Sequence, residues 1–370
     1  MTASELKRTP LYDRHVALGA RMVEFGGWQM PVQYSGIVDE HSAVRNAAGL
    51  FDISHMGEFY VKGTDALAFL QHVATQDVAS IGAGLANYAL LCRPDGGIVD
   101  DIFIYHLPDG YLVVVNASNI EKDFAWMADH VGGFDVELTN SSDRTAMLAL
   151  QGPAAEAILA SATDVDVASV PFHGVTTGTL LGDIPALIAR TGYTGEDGFE
   201  LFVENDRVVK LWDGLLDLGR DAGLKPCGLG ARDSLRFEAC LALYGHEIAD
   251  DINPYEAKLG WVVKLDKGDF VGGDALREIK RAGVGRKLAG FEMVERGIAR
   301  GGYEIRGVDG ERVGYVTTGM PAPSLGKNLG LGYVPAALAS EGAEFDVVVR
   351  ERPVRARVVK TPFYKPRYKK

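Results

Sequence analysis

Two adjacent carboxylates, Asp100 and Asp101, interrupt an otherwise apolar run, Ile98-Val99-Asp100-Asp101-Ile102-Phe103-Ile104-Tyr105. Carboxylates in such a run are costly to desolvate unless something pairs with them. Side chains alternate along a strand, so the two point to opposite faces, which argues against a paired-carboxylate mechanism. One should face a pocket while the other braces the fold, and the residues alone leave open which. Glu200 raises a similar question inside Phe199-Glu200-Leu201-Phe202. A carboxylate there wants a planar, two-donor partner such as a guanidinium or a pterin-like amide–amine edge. Arg232 falls at the start of an expected helix, where a cation opposes the dipole. It needs an anionic partner, either a ligand or a neighbour such as Asp233 or Glu238. Glu196 and Asp197 read as solvated turn residues.

The elements that must position these groups can be traced. Pro94-Asp95-Gly96-Gly97 is a turn signal, with Asn87–Cys92 before it and the carboxylate-bearing segment after it, so the spacing predicts a hairpin. Tyr111–Asn116 continues that sheet, and Ser118 is placed to cap a helix over Ile120–His130 with Lys122 and Asp123 on its polar side. Helical spacing covers 37–48, 65–73, 153–161, 207–222 and 275–281, and the segment around Arg232 enters another helix after Gly230. Residues 50–61 alternate as one strand, 146–150 form another, and two more flank the turn at 192–197. Residues 9–35 read as irregular structure. Gly82-Ala83-Gly84 lacks a framing strand and helix and carries Asn87 where a dinucleotide fingerprint needs glycine, so it reads as a loop. Beyond a linker at 283–287, short strands split by Gly and Pro point to an all-β module with a short helix near 335–339. Mixed strands and helices without a βαβ rhythm favour α+β over a doubly wound fold.

A chain of 370 residues with 47% hydrophobic residues is large enough for two or three domains, each with its own core. Three scattered cysteines without a CxxC and eight histidines without an HExxH signal neither a disulfide framework nor a metal site, and fit a reduced compartment. No signal-like or spanning apolar run appears, so the expected location is cytoplasmic, away from membranes. The net charge of −12 disfavours nucleic-acid binding. It hides a basic end: residues 350–370 carry nine Lys/Arg and one Glu, and either form a solvated edge or meet an acidic partner.

Taken in order, Phe51-Asp52-Ile53-Ser54-His55-Met56-Gly57, Gly97-Ile98-Val99-Asp100-Asp101, Leu150-Gln151-Gly152-Pro153, Arg190–Glu200, Ala231-Arg232-Asp233-Ser234-Leu235-Arg236 and Lys360–Tyr364 resemble the aminomethyltransferase, or T-protein, family of the glycine cleavage system. The resemblance spans nearly the whole chain. It implies a three-domain cloverleaf, with two interwoven antiparallel-sheet α+β domains over residues 1–282 and a β-barrel over 283–370, around a central folate channel. It makes Asp101 the catalytic carboxylate and Asp100 the bracing one, Glu200 the pterin-binding glutamate and Arg232 a substrate-binding arginine. Met56, Tyr88, Tyr105 and Tyr193 fall where the family lines its folate cleft, and Tyr364 and Tyr368 compete for a C-terminal aromatic contact. The implied reaction passes the one-carbon unit of an aminomethyl group, carried on the lipoyl arm of the H-protein, to tetrahydrofolate. Ammonia is released, 5,10-methylenetetrahydrofolate is formed and no metal is used. The transferred carbon would carry positive charge, which a fixed carboxylate stabilises. Two rival readings remain: a tetrahydrofolate-dependent demethylase of a small sulfonium or methylamine, and a non-catalytic folate-binding module.

Overall fold

The computed structural model describes residues 6–369. The hairpin at its centre pairs Ala86–Cys92 with Ile98–Leu107, as the turn chemistry predicts. Gly96 adopts φ +89°, and a Cβ on Gly97 would lie 2.1 Å from the Asp250 carbonyl oxygen, so both glycines are required at this turn. The hairpin belongs to a five-stranded antiparallel sheet in the order Ala86–Cys92, Ile98–Leu107, Gly110–Val115, Gly57–Lys62, Glu137–Asn140.

A second sheet has six strands, in the order Val175–Leu180, Ile184–Ala189, Gly198–Glu204, Thr145–Gln151, Ala48–Asp52, Leu224–Cys227. It is antiparallel except for the last pair, which runs parallel. The alternation expected over 50–61 as one strand is two strands in two different sheets, Ala48–Asp52 and Gly57–Lys62, broken at Ile53–Met56. The segment crosses from one sheet to the other there. Period-2 patterning reports that both pieces have a buried face but carries no information about which sheet each joins. Residues 9–35 are also more regular than expected, with a helix Tyr12–Ala17 and a hairpin Arg21–Phe25/Trp28–Gln33.

The two sheets share a core built from Phe51, Ile53, Tyr105, Leu112, Met147 and Phe202. Alternation puts Asp101, Phe103 and Tyr105 on the side of their sheet that faces this core, and Glu200 on the facing side of the other. The C-terminal module is a closed six-stranded barrel running from Arg286 to Val358. Leu90 and Ile98 of the hairpin, Phe237, and Leu329, Leu331 and Tyr333 of the barrel form one buried cluster, so each of the three sheet-built units packs on its neighbours. The α+β class and the terminal barrel are therefore as the sequence predicts.

The helix Leu229–Glu238 clamps the six-stranded sheet to the barrel. Arg236 donates to Glu247 at 2.6 Å and to Thr318 of the barrel at 3.1 Å, and Glu247 also accepts from Thr317 and Thr318. Arg45 makes a similar knot on the helix Ile37–Asn46, reaching Glu196 at 3.0 Å and Glu238 at 3.1 Å. Glu196 is thus buried in an ion pair, and Asp197 pairs with Arg190; neither is the solvated turn residue expected. A glycine-rich turn resembles a surface turn in sequence even when another helix lies across it.

Candidate active site

Asp101 is half-buried on the face of its strand that carries Phe103 and Tyr105, and forms no ion pair among the described residues. The Tyr88 hydroxyl donates to its Oδ2 at 3.0 Å, and the Asn116 side-chain amide donates to its Oδ1 at 2.7 Å. Burial, and then the charge on Asp100 next door, push its carboxyl up to about 7, while the two donors pull the other way. A carboxylate held this way is a base or charge stabiliser poised near neutral pH. Asp100 is fully buried on the opposite face. It accepts from the Asn116 backbone N–H at 3.1 Å, the Asn116 amide at 2.9 Å and the Asn119 amide at 2.8 Å. These bonds tie its strand to the turn that follows Gly110–Val115.

Glu200 is half-buried in the facing sheet. Its Oε2 accepts from the Thr191 hydroxyl at 2.5 Å and the Tyr105 hydroxyl at 3.3 Å. Its Oε1 receives no hydrogen bond from the described residues, which leaves one acceptor for a ligand N–H. Burial raises the Glu200 carboxyl, and Thr191 and Arg232 oppose that rise. The side chain of Arg232, in the first turn of its helix, makes no hydrogen bond or ion pair among the described residues; its guanidinium lies 4.5 Å from the centre of the Tyr193 ring. The bland alternatives are taken elsewhere: Asp233 pairs with Arg236, and Glu238 with Arg45. Burial lowers the Arg232 pKa from its ordinary value. The Tyr193 hydroxyl donates to the Ala242 carbonyl and feels the charges of both Asp101 and Arg232. Met56 is partly buried and packs against the core between the sheets, as do Tyr60 and Phe103.

Seven of the predicted site residues therefore converge: Asp101, Tyr88, Tyr193, Arg232, Glu200, Tyr105 and Met56. Tyr364 and Tyr368 are divided. The Tyr364 hydroxyl donates to Glu196 at 2.6 Å, and its ring lies under Arg45 at 3.8 Å, so it is committed to the Arg45 knot. Tyr368 stacks on Phe172 at 4.7 Å; Phe172 stacks on His173, and His173 meets Phe103 edge-on at 5.1 Å. That aromatic row leads from the C-terminal segment to Tyr105 and Tyr88.

Several residues of the site were not singled out from sequence. Asn116 bridges both aspartates, Thr191 holds Glu200, and His173 sits at φ +62°, a left-handed backbone that a histidine adopts only when its surroundings impose it. Trp261 is 60% exposed and stacks on Tyr88 at 5.9 Å. No spacing rule marks any of them, because each reaches the site from a separate strand or loop end. The one available hint was Asn116 at the end of a strand beside the aspartates. Ser118 does not cap its helix by its side chain, and Asp123, expected on the polar side, is fully buried. Of the basic end, Arg355 and Arg357 pair with Glu344, Arg355 also with Asp346, and Lys369 with Glu156, so these cations serve the fold.

The GCVT N-terminal domain family matches residues 11–267, and the glycine cleavage T-protein C-terminal barrel domain matches residues 286–365. The chain belongs to the glycine cleavage T-protein family. It is 60% identical to an aminomethyltransferase of Herpetosiphon aurantiacus over 99% of this chain and all of the relative. It is 51% identical to one of Alkaliphilus oremlandii over 98% of both. The crystal structure of glycine cleavage system aminomethyltransferase T from Bartonella henselae superposes with a TM-score of 0.93 at 36% identity, over 99% of this chain and all of that one. The expected enzyme class, an aminomethyltransferase, stands. No helix among the described residues is long and apolar enough to cross a membrane.

Proposed function

We propose that the chain passes the one-carbon unit of an aminomethyl group, carried on the lipoyl arm of the H-protein, to tetrahydrofolate, with release of ammonia and formation of 5,10-methylenetetrahydrofolate. The observation that carries this reading is Asp101: a half-buried carboxylate with two neutral donors and no ion pair among the described residues, its ionisation pushed upward by burial and by Asp100. When bound, tetrahydrofolate supplies the nucleophilic nitrogens that accept the carbon.

The residues present fit that co-substrate. Glu200 offers its free Oε1 to an amide–amine edge, while Thr191 and Tyr105 hold its Oε2. Tyr193, Tyr105, Phe103 and Met56 give an apolar slot for flat rings. Arg232, stacked on Tyr193 and otherwise unpaired, suits electron-rich or anionic ligand atoms. Tyr368 is the C-terminal aromatic in line with this slot. Asp101 then stabilises positive charge as it develops on the transferred carbon, and takes or returns a proton there. Tyr88 and Asn116 keep it aimed, so little reorganisation is needed during reaction. Holding donor and acceptor in contact supplies much of the remaining rate.

The test is a titration with tetrahydrofolate, paired with an ammonia-release assay using aminomethylated H-protein. Binding plus H-protein-dependent ammonia release is the expected result. Turnover of a small sulfonium or methylamine without H-protein would transfer the site to the demethylase reading. Folate binding with no turnover of any donor would leave only a binding module.

A further inference from the structure

Asp123, on the helix Ile120–Asp129, is fully buried, and neither of its carboxyl oxygens receives a hydrogen bond from the described residues. Its contact is with Asp100 on the neighbouring strand. Two ionised carboxylates are acceptors only and cannot share a buried contact; one must carry a proton. The N–H donors decide which. Asn116 and Asn119 together direct three N–H groups at Asp100 and none at Asp123. The proton therefore belongs on Asp123, whose ionisation is pushed up by burial first and by Asp100 second. The other charged or titratable groups facing it are Lys122 on its own helix, Asp101 on the strand of Asp100 and Tyr244 from the segment after the helix Leu229–Glu238. Lys122 does not pair with Asp123; its ammonium donates to the Val99 carbonyl and the Tyr244 hydroxyl.

We propose that Asp123 is a positioning residue for Asp101: as the neutral acid it donates to Asp100, Asp100 fixes Asn116, and the Asn116 amide orients Asp101. From Asp100 onward the relay is continuous in the structure, because one Asn116 amide group donates to Asp100 at 2.9 Å and to Asp101 at 2.7 Å. Sharing one negative charge over two carboxyls also limits the repulsion that Asp100 exerts on Asp101. The link to turnover rests on the function proposed above; the protonation state of Asp123 does not.

The experiment has two arms on the full-length chain. Infrared difference spectra of wild type and Asp123→Asn, taken at about pH 9 where Asp101 is ionised, should show a protonated-carboxyl carbonyl band in the wild type that the variant lacks. An absent wild-type band, or one unchanged in the variant, overturns the inference, and this arm stands even if the chain releases no ammonia. In the second arm, Asp123→Asn keeps a donor to Asp100 and should hold kcat within about threefold. Asp123→Leu removes the donor, concentrates charge on Asp100, lowers kcat about tenfold or more and moves the acidic limb of the pH–rate profile upward. Wild-type kcat and limb in a folded Asp123→Leu, or an equal loss in both variants, overturns the positioning role. If Asp123→Leu does not fold, the infrared arm and Asp123→Asn still decide it.

Discussion

Removing the Tyr88 hydroxyl should move the pH at which the enzyme switches on. That hydroxyl donates to Asp101 at 3.0 Å and favours the ionised carboxyl. A hydrogen bond to a charged group contributes about 1.5–3 kcal/mol, and the lower end applies here because Asp101 is only partly buried and water takes up part of the loss. At about 1.4 kcal/mol per pH unit, Tyr88→Phe should raise the Asp101 ionisation by about one unit. The wild-type limb is expected near 7, so the variant limb falls near 8. At pH 7 the ionised fraction then drops from about one half to about one eleventh, a loss of about fivefold in kcat that is largely recovered by pH 9. The phenylalanine ring keeps the stack on Trp261, so the slot is preserved. The assay is ammonia release at saturating donor and tetrahydrofolate across pH 6–9.5. A limb that stays in place, or moves down, refutes the assignment of Asp101 as the ionising group. A loss equal at every pH refutes the electrostatic account of Tyr88.

Asp101→Asn should lower turnover by about two decades or more while leaving tetrahydrofolate affinity within about tenfold, measured by single-turnover kinetics and equilibrium titration. The same substitution should alter stability with a definite sign. Because folding raises the Asp101 ionisation, its protonated form stabilises the native state below about pH 4, and that contribution is lost as pH rises through about 7. Asp101→Asn should thus be more stable than wild type at pH 8, by about 1–2 kcal/mol after discounting for partial exposure, in denaturant titrations; a destabilised variant at that pH contradicts the sign. Glu200→Ala should weaken tetrahydrofolate binding by about tenfold or more by removing an open carboxylate oxygen, and calorimetry showing unchanged affinity would count against its role. Arg236→Met leaves Glu247 buried without its cation and should cost about 3–5 kcal/mol in equilibrium unfolding, against near-zero if the pair is solvent-screened.

The carboxylate strand was legible because Pro94-Asp95-Gly96-Gly97 dictates a turn, and the alternation after it dictates opposite faces for Asp100 and Asp101. Which of the two faces the pocket was not legible from spacing. That depends on which side the second sheet packs, a long-range fact that only the family resemblance supplied. Glu200 stood out as a charge inside an apolar strand, and Arg232 as a cation at a helix start, where it opposes the dipole. Glu196 did not stand out: its partner, Arg45, lies far along the chain, and nothing in a glycine-rich turn reports a helix crossing above it. Asp123 failed for a different reason. Helical periodicity identifies a polar side chain flanking an apolar face, but a carboxylic acid that keeps its proton can sit inside that face. Trp261 was invisible because its value lies in one aromatic neighbour, Tyr88, reached from a short 3-10 turn.

The segment from Phe363 to Lys369 laces onto residues made much earlier. The Tyr364 N–H donates to the Glu238 carbonyl at 2.7 Å, the Arg367 N–H donates to the Gly195 carbonyl at 2.8 Å, and Tyr368 lies on Phe172. During synthesis these partners wait, exposed, until that stretch leaves the ribosome. The nascent chain can complete its sheets, yet it lacks one wall of its aromatic row until residues 363–369 have been added. A chain cut before Phe363 would therefore leave Phe172 without its stacking partner Tyr368 while the sheets stand complete.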